Sequence, residues 1–176
     1  MLSIQINSTS NSEFLNYILK KSTYGMFILP NFRQKGFCNS IKLNKDYNMY
    51  RKNCNSLIEA VYPKLIKNYV DKKVFNSKYS HVLDIYVFQI TKEFRLKAIE
   101  YGALSQWLYP NLPEDLCLFD ENKNCLLFTQ THEDICCIYG ESEKERALFK
   151  SWGLNYQIAA NEFDNRNEYN MSMLKV

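Results

Sequence analysis

The chain has 176 residues, of which 46% are hydrophobic and 15% aromatic, with 5 Gly, 4 Pro and a net charge of +3. That composition excludes collagen-like, low-complexity and disordered chains, and no window approaches the ~18 uninterrupted apolar residues of a membrane helix. The net charge hides a split: residues 1–81 hold 13 Lys/Arg against 4 Asp/Glu, and residues 82–176 hold 9 against 15.

In chain order, Leu2, Ile4 and Ile6 alternate with polar residues, which predicts a first strand with one buried face. Phe14, Leu15, Ile18 and Leu19 form the apolar stripe of a helix that Asn11 or Ser12 can cap. Met26 to Leu29 predict a second strand, between Gly25 and Pro30. Residues 31–52 read as a polar, basic loop with a short strand around Ile41 to Leu43. From Leu57 the helical period is strong, through Ile58, Val61, Tyr62, Leu65, Ile66, Tyr69 and Val70. Pro63 predicts a kink there, or a second helix starting at it. Asp71 to Ser80 read as a polar connection, and Val82 to Ile90 as a central strand. Thr91 caps the next helix, anchored by Phe94, Ala98, Ile99 and Tyr101 and ended by Gly102, with Leu104, Trp107 and Leu108 adding a turn.

Short apolar runs then recur at Leu116–Phe119, Cys125–Phe128 and Ile135–Tyr139, a three-stranded antiparallel meander. A four-residue loop, Glu121 to Asn124, sets Phe119 opposite Leu126 and Cys117 opposite Phe128, so Cys117 and Cys125 face opposite ways. A five-residue second loop sets Phe128 opposite Cys136 and Leu127 opposite Cys137. Both faces are apolar, which predicts cover on both sides. Ser142 with Glu145 is a capping box, Leu148 and Trp152 share a docking face, and Gly153 sits at the C-terminal cap. The expected fold is α/β of the mixed α+β kind: a mixed sheet of about six strands, a C-terminal antiparallel meander, and helices covering both faces. Residues 1–160 form one domain, and the Asn-rich, charged residues 161–176 a loose tail.

Three constellations could carry chemistry. The first is a thiol site with Cys117 as nucleophile, His132 as base and Glu133 or Asp134 as its orienter. Cys117 lies in an apolar run, however, and burial there makes a thiol inert. The second is a metal site from Cys117, Cys125, His132, Cys136 and Cys137. Its spacings are long, no C-x2-C pair occurs and adjacent Cys136 and Cys137 diverge in a strand, so packing is the better account and no metal or cofactor is expected. The third is an acidic rim of Glu114, Asp115, Asp120, Glu121 and Asp134, with Glu133 beside it. Paired carboxylates suit acid–base work, Mg²⁺, or a basic protein. No glycine-rich phosphate loop, nucleophile elbow or H-E-x-x-H is present. In the basic half, Phe32, Phe37, Tyr47 and Tyr50 interleave with Arg33, Lys35, Lys42, Lys45, Arg51 and Lys52, a composition that stacks on single-stranded bases. The bland reading of the charge split is that the two halves pack together and neutralise each other.

Leu108 to Phe119, with His132-Glu133 and Ile138-Tyr139 after it, resembles a family of small bacterial proteins with a LYPxxPEDLCFF…HE…IY pattern. The likeness spans about a quarter of the chain, and P-E-D-L-C is its specific part. The family has no established activity, so the resemblance carries over no catalytic residue. It implies a bacterial cytoplasmic protein. The N-terminus also lacks the basic start and long apolar run of an export signal, which places the cysteines in a reducing compartment as free thiols.

The favoured reading is a small non-enzymatic binding protein of the immunity type, neutralising a basic protein partner through its acidic rim. The alternative is a hydrolase dependent on Cys117 and His132, or on a carboxylate-bound metal. The third is nucleic-acid binding by the basic half.

Overall fold

The computed structural model describes residues 1–5, 12–30, 45–75 and 79–158. The short strand expected around Ile41 to Leu43 and the tail 161–176 lie outside them. The fold is α+β, built on a single antiparallel sheet.

The strands are β1 (Leu2–Gln5), β2 (Tyr24–Pro30), β3 (Leu65–Phe75), β4 (Tyr79–Gln89), β5 (Glu114–Phe119), β6 (Cys125–Gln130), β7 (Ile135–Ile138) and β8 (Tyr156–Ile158). They lie in the order β3-β4-β2-β5-β6-β7-β1-β8. Every pair is antiparallel, and among the described residues eight strands stand where about six were expected in a mixed sheet. The helices are α1 (Ser12–Lys21), α2 (Lys45–Val61), α3 (Lys92–Tyr101) and α4 (Glu143–Ser151).

Among the described residues, helices cover one face of the sheet. Phe14, Leu15, Ile18 and Leu19 of α1, Leu57, Ala60 and Val61 of α2, Phe94 and Ala98 of α3 and Phe149 of α4 share one core with Leu2, Ile4, Phe27, Phe88, Leu116, Leu118, Leu127 and Ile138 of the sheet. The other sheet face gathers Ile85, Val87, Cys117, Phe119, Cys125 and Tyr139, and no described helix packs there. Period-2 alternation explains the division: in β5, even residues face the helices and odd residues face away.

Two expectations failed in the middle of the chain. Residues 45–52, read as loop, form the first turns of α2. Residues 65–70, read as helix, form the start of β3. Spacings of four, as in Tyr62, Ile66 and Val70, put residues on one side of a helix and also on one side of a strand. Alternation settles it, since Leu65, Lys67 and Tyr69 are half-buried while Ile66, Asn68 and Val70 are exposed. Pro63 ends the helical run in a 3-10 turn at Tyr62–Lys64. Residues 71–75 and 79–80, read as a connection, carry β3 and β4 onward in register. Thr91 caps α3 as expected: its hydroxyl oxygen accepts from the Phe94 N–H at 3.0 Å, and its O–H donates to the Ala60 carbonyl at 2.7 Å, joining α2 to α3.

In the meander the pairing shifts twice. Cys117 lies opposite Phe128 as expected, but Phe119 pairs with Cys125 across a bulge at Leu126. The cause is a five-residue connection in which Asp120 and Asn124 pair and Lys123 takes a left-handed φ of 68°. The second connection is four residues, because Gln130 stays in β6, so Phe128 faces Cys137 rather than Cys136. The bulge brings Cys117 and Cys125 onto one face, where opposite faces were expected, and the register slip turns β7 over.

The capping box of α4 forms as expected. Its buried anchor is Phe149 instead of Leu148, and Trp152 packs on the core from the helix end. The Glu145 carboxylate also accepts from the Tyr17 hydroxyl at 2.9 Å and from the Lys21 ammonium, tying α1 to α4. Burial opposes its ionisation, but the bonds from Lys21, Ser142 and Tyr17 prevail and hold the carboxyl down at about 2. A depressed carboxyl contributes stability above its unfolded value and loses it as pH falls toward its folded one. We therefore expect about 2 kcal/mol of stability to disappear between about pH 4.5 and pH 2, after discounting for solvent screening. Urea unfolding at pH 5 and pH 2.5 checks this; in Glu145→Gln the pH-dependent part should largely vanish.

Candidate functional site

At one end of β5 and β6 the chain collects ionisable groups. Glu114 starts β5 beside Ile28 of β2, below a β-bulge between Met26 and Ile28. Asp115 follows with φ at 54°, a left-handed conformation that non-glycine residues rarely adopt. Its Oδ1 accepts from the backbone N–H of Thr131 at 3.0 Å, which clamps the start of β5 to the β6–β7 connection. That connection is a 3-10 turn, Thr131–Glu133, closed by Asp134 in a second left-handed conformation at φ 56°. The turn carries His132 out to 48% side-chain exposure, with Nδ1 4.0 Å from Asp115 Oδ1 and Nε2 3.6 Å from Glu133 Oε1. Thr129, buried in the strand before it, donates to the Leu116 carbonyl at 3.0 Å and fixes the strand register.

Glu114 is the perturbed acid of the group. Burial pushes its carboxyl up, the neighbouring Asp115 pushes it further, and His132 works against both. Its inner wall comes from a region that composition alone had left as loop. Tyr50 of α2 is 3% exposed and meets Tyr109 edge-on at 5.1 Å between ring centroids. Asn53 Nδ2 donates to the Asn111 carbonyl at 3.0 Å and holds α2 against the segment leading into β5. Burial first, then Cys54, then Glu114, drive the Tyr50 phenol far above its ordinary range. Tyr50 is therefore a packing residue and offers no face for base stacking. Tyr47, one turn earlier, has the Arg51 guanidinium over its ring at 6.0 Å. Tyr50 comes near Glu114 only because α2 packs against the segment leading into β5, which local periodicity does not reveal.

A carboxyl raised by burial binds its proton more tightly when folded, so it adds stability below its unfolded value and loses it as pH rises through the folded one. Ionisation of Glu114 thus detracts from the fold. Glu114→Gln is expected to raise the melting temperature at pH 7 and to lose that advantage at pH 4, in paired thermal scans.

The sequence-derived candidates separate into three places. Glu114, Asp115, His132, Glu133 and Asp134 share this end of the sheet. Asp120 and Glu121 lie at the β5–β6 hairpin tip, the full six-residue length of β5 away, or about 17 Å. The rim is therefore two patches. The thiols lie between them on the sheet: Cys117 is 2% exposed, Cys125 and Cys136 are buried, and Cys137 is half-buried. Cys117 donates to the Asp115 carbonyl at 3.6 Å. Burial, then Cys125, then Asp115, push its thiol well above the ordinary value, and Cys54 in α2 is pushed up to about 12 by burial. Such thiols are protonated at neutral pH and make poor nucleophiles. Among the described residues, no group of three or more His, Cys, Asp or Glu side chains is arranged to hold a metal ion, and no helix is long and apolar enough to cross a membrane.

Comparison with protein-family models, with curated proteins and with solved structures finds no match.

Proposed function

We propose that this chain is a non-enzymatic, immunity-type binding protein of the bacterial cytoplasm. It captures a basic partner on the end of the sheet formed by Glu114, Asp115, Glu133 and Asp134. The observation that carries the reading is Asp115. Its carboxylate is held by the Thr131 N–H on a left-handed backbone, next to a Glu114 whose ionisation burial opposes. A fold that only needed a solvated rim has no use for a carboxylate that detracts from stability. A cationic side chain of a partner would neutralise that charge, so the cost in the free protein becomes a gain in the complex. Fixed acidic groups also speed encounter with a basic protein and make the association rate fall with salt.

The half-exposed His132 between two carboxylates is what keeps the hydrolytic alternative in view. A folded His132→Ala variant that retains full function in the host would remove it.

The decisive test is native mass spectrometry of the tagged chain from its host, wild type beside Asp115→Lys/Asp134→Lys. Expected is a stoichiometric basic protein with the wild type, lost in the variant. A bare chain in both, or a partner retained equally by both, overturns the proposal.

A further inference from the structure

The turn that carries His132 sets a titratable ring between carboxylates of two different elements. Its Nδ1 lies 4.0 Å from Oδ1 of Asp115, near the start of β5, and its Nε2 lies 3.6 Å from Oε1 of Glu133, on the turn itself. Asp115 Oδ1 is also the atom that takes the Thr131 N–H at 3.0 Å, so the imidazole stands at the clamp between β5 and the β6–β7 connection. The ring is 48% exposed and the Asp115 side chain 18%. Protons from solvent therefore reach the ring, while the carboxylate beside it is partly shielded from water. The other groups at this end are described element by element. On β5, Glu114 stands next to Asp115, and His132 favours its ionised form against burial. On the turn, Asp134 follows Glu133. From β2 the neighbour of Glu114 is Ile28, which carries no charge. From α2, Tyr50 and Cys54 lie behind Glu114, and burial keeps both protonated at neutral pH.

We infer that His132 is a pH gate on this acidic end: as an imidazolium it competes with a basic partner for the carboxylates of Asp115 and Glu133, so that acidification releases the partner. The inference rests on the reading of this end as the site for a basic protein. Histidine is the side chain whose charge ordinarily changes between pH 5 and 8. Protonation puts a donor on both ring nitrogens, one toward each carboxylate. The same proton adds a positive charge that repels the cation of the partner. Release is thus linked to uptake of a proton at His132. Glu114 takes up a proton in the same direction of pH, and a His132→Gln variant separates the two, because the part due to Glu114 survives in it.

The test uses the full chain and fluorescein-labelled octalysine, whose charge is constant over this range, followed by anisotropy at low salt. Partly exposed ion pairs are individually weak, so the expected change is modest. Wild type should bind at pH 7.5, lose binding on Asp115→Lys/Asp134→Lys, and bind about tenfold more weakly at pH 5.5. His132→Gln should keep most of its affinity at pH 5.5, and a variant of the other histidine, His81→Gln, should follow the wild-type profile. Circular dichroism at both pH values establishes that each variant is folded. An affinity that does not fall in the wild type, or that falls equally in His132→Gln, overturns the gate and leaves the acidic site in place. No binding at pH 7.5, or binding that Asp115→Lys/Asp134→Lys retains, overturns the site and the gate together.

Discussion

Gly25→Ala is expected to destabilise the protein by about 3 kcal/mol, although it adds only a methyl group. Gly25 sits in β2 with Phe88 of β4 opposite on one side and Leu118 of β5 on the other. A Cβ built there would lie 2.7 Å from two ring carbons of Phe88. That ring is fully buried and has little room to yield, with Phe27 at 5.3 Å and Phe94 at 4.7 Å between centroids. The glycine is thus the floor on which an aromatic ring lies, a recurrent way to fill the hole that glycine leaves in a strand. Urea denaturation measures the loss. A double variant with Phe88→Leu should recover part of it, because a smaller side chain leaves space for the methyl group. Additive losses would mean that the contact is not the cause.

Phe149→Ala is expected to cost about 4 kcal/mol. Phe149 is the fully buried residue of α4, and three aromatic rings converge on it: Phe14 at 5.4 Å, Tyr17 at 5.9 Å and Trp152 at 6.0 Å. Truncation opens a cavity where α1, α4 and the sheet meet, and Phe14 and Tyr17 cannot collapse into it without leaving their edge-to-face geometry. Phe149→Leu should cost much less. A double-mutant cycle with Phe14→Leu should report a coupling of about 1 kcal/mol, since edge-on pairs contribute beyond their buried area. A loss below about 1 kcal/mol for Phe149→Ala would show that α4 is held by the Glu145 network instead.

Local chemistry was legible in the sequence wherever it acts over a few residues. The caps at Thr91 and Ser142, the stripe of α1 and the three strands of the meander all rest on neighbours in sequence. What the sequence concealed lies where two periods coincide or where a loop changes by one residue. Tyr62, Ile66 and Val70 satisfy both helix and strand spacing, and only the break at Pro63 and the alternation of burial separate the readings. Gln130 kept in β6 shortens a loop by one residue, which turned Cys136 and Cys137 to the faces opposite those expected. β8 was missed because three residues offer no period to read. The carboxylates and His132 were visible as residue types, but their grouping depends on Asp115 reaching Thr131 across the sheet. Tyr50 and Cys54 behind Glu114 had no local signal at all.

The position of β1 has a consequence for how the molecule forms. Leu2 to Gln5 lie between β7 and β8, pairing Leu2 with Ile138 on one side and Ile158 on the other. β1 therefore waits for β7 and β8, both far later in the sequence, before it finds its neighbours. Its docking closes the longest loops among the described strand pairs, and such non-local pairings are slow. Until β7 has been made, Leu2 and Ile4 have no neighbouring strand to join and form an exposed apolar segment of the kind that chaperones shelter. Chains that stall before β7 should therefore be degraded or aggregate through β1, even though the lesion lies far from it.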